Sequence, residues 1–298
     1  MIAYKRTAGD IVFDVCTYTF FALFTLLCVF PFYYIFINSI SANNLAATGQ
    51  ILFYPREIHF NNYLEVFKLK DIGQALFISV SRTVIGTVSC VLCTSFVAYL
   101  LTKKSLWGRK VWYRYIIFTM YFNVGLIPWF INMQMLGLTN NFLAYVIGVI
   151  NPYNLVLTKT FIENMPPSLE ESAELDGAGT LTVFMRIIMP LSKPILATTA
   201  VFTAVMQWNQ FMDTVMLMTD SKLYTLQFLL WQYLSEASSI AKMLQGSGAM
   251  SIVDPSRFLS STSIKMTVSL VVMLPVLFVY PFFQRYFVKG IMLGAVKG

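Results

Sequence analysis

Long apolar stretches separated by shorter polar segments dominate this chain. A helix needs roughly 20 apolar residues to cross a bilayer, and six stretches of about that length run over residues 13–38, 77–101, 113–133, 142–162, 195–218 and 264–283. The first is longer than the 7–15-residue apolar core of a signal peptide, so we expect it to be retained as a span. The pattern predicts an all-α, polytopic integral membrane protein with six transmembrane helices in a single domain, residues 1–298.

The composition supports lipid as the solvent for much of the chain. Hydrophobic residues make up 57% of the sequence and charged residues 12%, whereas a soluble domain carries about 25% charged residues. The net charge is +7, but the cations gather in particular loops instead of forming one basic patch. We therefore expect no nucleic-acid partner.

The positive charges predict the orientation of the spans. The connection after the second stretch carries Lys103, Lys104, Arg109, Lys110 and Arg114, and further cations lie before the first stretch and after the last. Lys and Arg are enriched in cytoplasmic loops. Both termini are therefore predicted to be cytoplasmic, with residues 39–76 and 219–263 as long external loops.

Two of the four cysteines form a CxxC motif, Cys90 and Cys93. Such a pair can bind zinc or carry redox chemistry. The reading that we favour is two small buried hydrophobes on one face of a spanning helix, because there is no second ligand pair and the single histidine, His59, is distant in sequence. We expect no metal site and no cofactor on this chain.

The connection between the fourth and fifth stretches, residues 165–190, contains helix start and stop signals. Ser168 and Glu171 have the spacing of a capping box, directly after Pro167. The first helix is predicted to end near Asp176, with Gly177 in the left-handed conformation.

A second short helix is predicted over residues 180–189, limited by Pro190. Leu181, Phe184 and Ile188 fall on one face of it. Something must cover this apolar stripe, and three covers stay open: a partner protein, the chain's own spans, or the lipid surface.

This segment resembles the EAA loop of binding-protein-dependent ABC importers, whose pattern is Glu-Ala-Ala, three residues, Gly, nine residues and Ile-x-Leu-Pro. The residues that match in register are Glu171, Ala173, Gly177, Ile187 and Pro190. Ser172 and Met189 depart from the pattern. In that family the EAA helix sits in a groove of a cytoplasmic ATPase subunit, and the resemblance implies this coupling role for the five matching residues.

The resemblance extends along the chain and is closest to the maltose-type, carbohydrate-importing permeases, including their polysaccharide-type members. It is carried by Asp176-Gly-Ala178, by Gly125-Leu-Ile-Pro128, by Trp208-Asn209 and by the tail 284–298. It implies a location in the bacterial cytoplasmic membrane. The partners that it implies are a second homologous permease, two ATPase subunits, an extracytoplasmic solute-binding protein and an oligosaccharide substrate.

ATP chemistry is expected on another polypeptide. The sequence has no GxxxxGK[ST] phosphate-binding loop. ATP and Mg²⁺ are therefore expected on the partner subunits, and this chain is expected to be a transport subunit and not an enzyme.

Polar residues in the fifth stretch are candidates for the substrate pathway: Trp208, Asn209, Gln210 and Asp213. Asn209 and Asp213 are four residues apart and would share a face of a continuous helix. Aromatic faces and amides suit sugar rings and hydroxyls, and the alternative is hydrogen bonding between helices.

Two further positions invite a prediction. Asn151 and Pro152 lie in the middle of the fourth stretch, where proline would bend a helix, either as a gate or as a static kink.

Arg82, near the outer end of the second stretch, is expected to snorkel toward the interface.

The sequence therefore predicts the permease subunit of an ATP-driven importer for a sugar oligomer or polysaccharide fragment. The alternatives are an importer of a non-sugar or phosphorylated solute, an ion-coupled secondary transporter and a membrane enzyme. A secondary transporter would need a carboxylate relay, but Asp213 is the only carboxylate well inside a stretch. The sequence also lacks the HExxH and GxSxG motifs of common enzymes.

Overall fold

The computed structural model describes residues 7–68, 71–122, 124–148, 150–235 and 263–278, and all regular structure in these ranges is helical. In chain order the helices are α1 Ala8–Ser39, α2 Asn43–Ala47, α3 Asn61–Lys68, α4 Ile72–Thr102, α5 Arg109–Tyr121, α6 Leu126–Met135, α7 Pro152–Glu163, α8 Ser168–Leu175, α9 Thr180–Leu191, α10 Lys193–Asn209, α11 Met212–Leu217, α12 226–235 and α13 Ser263–Phe278. Short 3₁₀ turns cover Phe142–Tyr145 and Ser221–Leu223. The all-α prediction is confirmed for this part of the chain.

The chain divides into two compact units, Met1–Leu69 with Gln232–Met273, and Lys70–Trp231 with Leu274–Gly298. The single domain over residues 1–298 stays a prediction. The amino-terminal cations and the carboxyl-terminal tail, 284–298, lie outside the described residues.

The first unit is built on the long apolar helix α1. Thr7 and Asp10 form a capping box at its start, with the Thr7 amide donating to Asp10 Oδ2 over 2.8 Å. Most of its side chains are exposed, and burial begins only at Ile37. At the last residue of α1, Ser39 Oγ lies 2.7 Å from Tyr63 Oη of α3, so α3 folds back onto the end of α1. The predicted loop 39–76 therefore contains helical structure.

Helix α4 is the central helix of the second unit and packs against α7 and α10. Its contact face carries small residues, among them Ser79, Gly86, Thr94 and Ala98. Small side chains let neighbouring backbones approach closely, which is the usual way in which helices associate in lipid.

Three of the six predicted stretches are interrupted and are not continuous helices. The third breaks between α5 and α6, where Gly125 takes a φ of +83°. The fourth contains a 3₁₀ turn before α7, and the fifth breaks between Asn209 and Met212. Among the described helices, α1 and α4 are each long and apolar enough to cross a membrane, and α9 with α10 would form a third span bent by 81°. The number of crossings stays a prediction.

The kink predicted at Pro152 is wrong. Pro152 is the first residue of α7, and Asn151 is the N-cap, with its Oδ1 accepting a hydrogen bond from the Tyr153 amide at 2.8 Å. Proline is favoured at this position because its missing N–H would have no partner in the helix anyway. A gate at Asn151 and Pro152 stays a prediction.

Candidate functional site

The first short helix of the EAA-like segment, α8, starts one residue earlier than the sequence suggested. Pro167 occupies the N-cap with φ −63° and ψ −25°, and no side chain caps the helix. Ser168 lies inside the helix, where its carbonyl accepts from Ser172 Oγ at 2.8 Å. The predicted capping box between Ser168 and Glu171 is wrong. Pro167 already has a helical φ and takes the N-cap position, so that the helix begins at Ser168.

The end of α8 agrees with the prediction. Asp176 is the C-cap and Gly177 has a φ of +82°. The Ala178 amide donates to the Ala173 carbonyl at 2.9 Å, and the Gly177 amide donates to the Glu174 carbonyl at 3.0 Å. This pair of bonds is the Schellman motif, which needs a left-handed residue where glycine stands.

The second short helix, α9, is partly covered by the chain itself. It contains a π-helical turn at Phe184–Ile188. Phe184 and Ile188 are buried in one cluster with Tyr99 and Ile162, whereas Leu181 stays 62% exposed. Of the three possible covers, the chain's own helices therefore account for Phe184 and Ile188.

The five motif residues are spread over this segment. Ala173 and Ile187 are half-buried against the cluster around Tyr99. Glu171 is exposed on α8, and Pro190 is exposed in the last turn of α9. Helix α9 then meets α10 at an angle of 81°. The outer surface of the segment also exposes large apolar side chains, Leu175 at 89% and Met185 at 51%.

A group of polar contacts joins α8 to the end of α4. Tyr99 Oη donates to Glu170 Oε1 at 2.6 Å. Lys103 Nζ forms ion pairs with Glu170 and, at 2.9 Å, with Glu174, and it lies 5.0 Å from the centre of the Tyr99 ring. Burial lowers the pKa of Lys103, but hydrogen bonds with Glu170, Tyr99 and Glu174 outweigh it and raise the pKa above its usual value. Lys103 is therefore charged at neutral pH.

An open cavity of about 630 Å³ lies beside these contacts. Its lining combines cations and carboxylates from the two sides: Lys103, Lys104, Arg109, Glu163, Glu170, Glu171 and Glu174. Both signs of charge are thus available on this face to a charged partner surface.

A second polar group is buried within the same unit. Arg82 is 2% exposed and pairs with Asp213 through two contacts, Nη2 to Oδ2 at 2.6 Å and Nη1 to Oδ1 at 3.2 Å. Its Nη2 also donates to Gln207 Oε1 at 2.9 Å, and the guanidinium lies 4.3 Å from the centre of the Tyr145 ring. The expectation that Arg82 snorkels is wrong, because it has a buried counter-charge.

The four candidate pathway residues do not form one surface. Trp208 is buried, and the Asp213 carboxylate forms an ion pair with Arg82. Asn209 and Gln210 are exposed, with the Gln210 carbonyl accepting from Arg82 Nη1 at 3.1 Å. The expectation that Asn209 and Asp213 share a face is wrong, because the helix breaks between them. A contact of these residues with substrate stays a prediction.

Sequence reasoning missed Tyr99, Glu170 and Glu174 as members of the site. One signal was available for the two carboxylates, because residues four apart share a helix face, and that face lay beside the basic connection after the second stretch. Gln207 and Tyr145 gave no such signal, because they meet Arg82 only through the packing of distant elements.

The two cysteines of the CxxC motif differ in their exposure. Cys90 is buried and Cys93 is exposed, and neither forms a disulfide. They therefore do not share the buried face that we expected. Within the described ranges, no group of three or more His, Cys, Asp or Glu side chains is placed to hold a metal ion.

Three comparisons with known proteins place the chain. Residues 90–293 match the family described as binding-protein-dependent transport system inner membrane component. The polygalacturonan/rhamnogalacturonan transport system permease protein YtcP of Bacillus subtilis (strain 168) is 36% identical over 96% of this chain and 98% of its own length. Protein LplC of the same organism is 35% identical over 98% of this chain and 97% of its own.

The fold also matches a solved structure, described as a bacterial ABC transporter involved in the import of the acidic polysaccharide alginate. The TM-score is 0.83 at 29% identity, covering 96% of this chain and all of the matched one. The family match spans more than half of the sequence and agrees with the apolar helices and the helix–glycine–helix segment. The chain belongs to the binding-protein-dependent transport system inner membrane components, the permease subunits of ABC transporters in the bacterial cytoplasmic membrane.

Proposed function

We propose that this chain is a permease subunit of an ATP-driven importer for oligosaccharides that carry carboxylate groups, derived from acidic polysaccharides. The observation that carries the proposal is end-to-end similarity to proteins named for such cargo. One relative is a polygalacturonan/rhamnogalacturonan permease, and the solved neighbour belongs to an importer of alginate. These polymers share uronic acid units, so the cargo that we propose is an anionic sugar oligomer.

The coupling role that we propose belongs to residues 168–190, with Glu171, Ala173, Gly177, Ile187 and Pro190 as the motif residues. Three features support it: two short helices joined through the left-handed Gly177, apolar side chains on the outer surface, and a mixed-charge cavity beside them. A rigid helix transmits displacement to its neighbours, whereas a flexible loop would absorb it. The segment would dock on a cytoplasmic ATPase subunit, which binds ATP and Mg²⁺.

The assembly that we propose contains a second homologous permease, two ATPase subunits and an extracytoplasmic solute-binding protein. The membrane topology has six spans with both termini in the cytoplasm. This topology places the α4–α5 connection and the start of α5, which together carry five cations, on the same side as the coupling segment. That agrees with the contact between Lys103 and α8 and with the enrichment of cations in cytoplasmic loops.

The test starts from the assembly as it exists in native membranes. The tagged chain is purified with its associated subunits, which are identified by mass spectrometry, and the complex is reconstituted into liposomes. Uptake is measured for labelled oligogalacturonides, alginate oligomers and neutral malto-oligosaccharides of matched length, with MgATP inside or outside the vesicles. We expect uptake of an anionic oligomer only when MgATP is on the coupling-segment side.

Uptake of only neutral sugars would refute the proposed cargo. Uptake of a phosphorylated solute in place of any sugar would refute the carbohydrate assignment. Uptake driven by an ion gradient without ATP would refute the importer mechanism as a whole.

A further inference from the structure

The end of α4 is tied to both short helices of the coupling segment. Toward α8, Tyr99 Oη binds Glu170, and Lys103 pairs with Glu170 and Glu174. Toward α9, the Tyr99 ring stacks on Phe184, with ring centres 5.5 Å apart. One turn of α4 therefore holds the segment on both sides of its glycine.

The opposite part of the same helix is tied to the break between α10 and α11. Arg82 of α4 binds Asp213 in α11, Gln207 in α10 and the Gln210 carbonyl between them. Lys103 and Arg82 are 21 residues apart, which is about 32 Å along an α-helix. Helix α4 thus has one charged contact at Lys103, directly after its last residue, and another at Arg82, in its first half, and it is continuous between them.

We propose that Lys103 and Tyr99 are positioning residues that latch the coupling segment to α4. When an ATPase displaces the segment, α4 then moves with it as one body, and the movement is transmitted to the α10–α11 break through Arg82. The latch is defined as the contacts of Lys103 and Tyr99 with Glu170, Glu174 and Phe184. The proposal deepens the proposed function, on which it rests, by naming the path inside this chain.

The burial of these groups indicates a role in positioning more than in holding the fold. The Lys103 side chain is 14% exposed, whereas its partner Glu174 is 54% exposed. An ion pair with one exposed member contributes little to stability, and Glu170, which is 26% exposed, keeps the Tyr99 hydroxyl as a donor when Lys103 is lost. It does fix direction, because one ammonium group meets two carboxylates that are one helical turn apart on α8. Loss of Lys103 should therefore leave folding intact and loosen the orientation of α8.

The first experiment compares Lys103→Met, Lys103→Arg and the control Lys110→Met in the reconstituted complex, measuring uptake per ATP hydrolysed. Lys110 is exposed and does not line the cavity beside the latch. We expect Lys103→Met to lower this ratio about five- to tenfold, in line with the loss of charge-assisted hydrogen bonds at a partly exposed site. Lys103→Arg should restore most of it, and Lys110→Met should stay within about twofold of wild type.

The second experiment measures the movement directly. Spin labels are placed on cysteines introduced at Ser105, just beyond α4, and at Ser172, on the exposed face of α8, in a background without the native cysteines. The latch predicts one narrow distance distribution that is the same with and without MgATP and vanadate. In Lys103→Met the distribution should broaden and change when nucleotide is added.

Three results would overturn the latch. They are a normal uptake ratio in Lys103→Met, a nucleotide-dependent change of the wild-type distance, and loss of the ATPase from the purified Lys103→Met complex, which would assign Lys103 to docking. If the wild-type complex shows no MgATP-dependent uptake at all, the proposed function fails, and this result is distinct from the other three.

Discussion

Replacing Asp213 with alanine leaves the Arg82 guanidinium buried without its counter-charge. In the folded protein Arg82 is 2% exposed and gives two of its contacts to Asp213, at 2.6 and 3.2 Å. Gln207 Oε1 and the Gln210 carbonyl remain as partners after the change, but neither carries a charge. The perturbation therefore removes the counter-charge of Arg82 together with the hydrogen bonds that the Asp213 carboxylate accepts.

The expected loss follows from the cost of an unpaired buried charge. Removing one partner of a buried ion pair costs about 3–5 kcal/mol, whereas replacing both partners with apolar residues is often neutral. We expect Asp213→Ala to lower the free energy of unfolding by about 3 kcal/mol or more. The double variant Arg82→Met with Asp213→Leu should lie much closer to wild type, because no unpaired charge then remains buried.

Equilibrium unfolding of the purified chain in bicelles measures these free energies, and membrane yield serves as an independent indicator. Asp213→Asn is the control for shape, because it keeps the size of the side chain and removes its charge. If Asp213→Ala costs less than about 1 kcal/mol, or if the double variant is worse than the single one, the pair is not the buried charge couple that the geometry indicates.

Three further changes test other parts of the structure. Gly177→Val should cost roughly 1–2 kcal/mol because a Cβ is strained at a φ of +82°, and uptake by the complex should be lost while the protein still inserts; normal uptake at normal membrane levels would refute the coupling assignment. Gly86→Ala places a Cβ 2.2 Å from Gln207 Nε2, so the free energy of unfolding should fall by about 1–3 kcal/mol and the thermal midpoint should fall with it. An unchanged midpoint would contradict the close packing. Pro152→Ala should change the free energy of unfolding by less than about 1 kcal/mol and leave uptake nearly unchanged, because Pro152 starts a helix. A large loss of uptake would instead support a gate at this position.

Features that depend on neighbouring residues in sequence could be predicted. Gly177 is an example, because the left-handed turn after α8 is a local backbone requirement. The apolar stretches that became α1 and α4 are another, because lipid imposes length and composition on each span by itself. The EAA-like pattern was recognised by its resemblance to the loop of a known family, and its glycine is the residue at this turn.

Features that depend on distant contacts could not be predicted. Arg82 and Asp213 are 131 residues apart in sequence, and only the packing of α4 against α10 brings them together. The break after Asn209 was hidden for a related reason, because it depends on the distant Arg82, whose Nη1 donates to the freed carbonyl of Gln210. Pro152 was misread because it lies inside a stretch that is apolar overall, although Asn151 before it is a common N-cap residue and was a sign of a helix start.

The length of α1 has a consequence for the lipid that the protein requires. Its 32 residues span about 48 Å, whereas the hydrocarbon core of a bilayer is about 30 Å thick. This hydrophobic mismatch must be met by tilt or by projection into the headgroup region. The last turn, where Asn38 and Ser39 are buried by protein, supplies part of the projection. Longer or shorter acyl chains would therefore change the tilt of α1, and α3, which is bound to its end, would move with it.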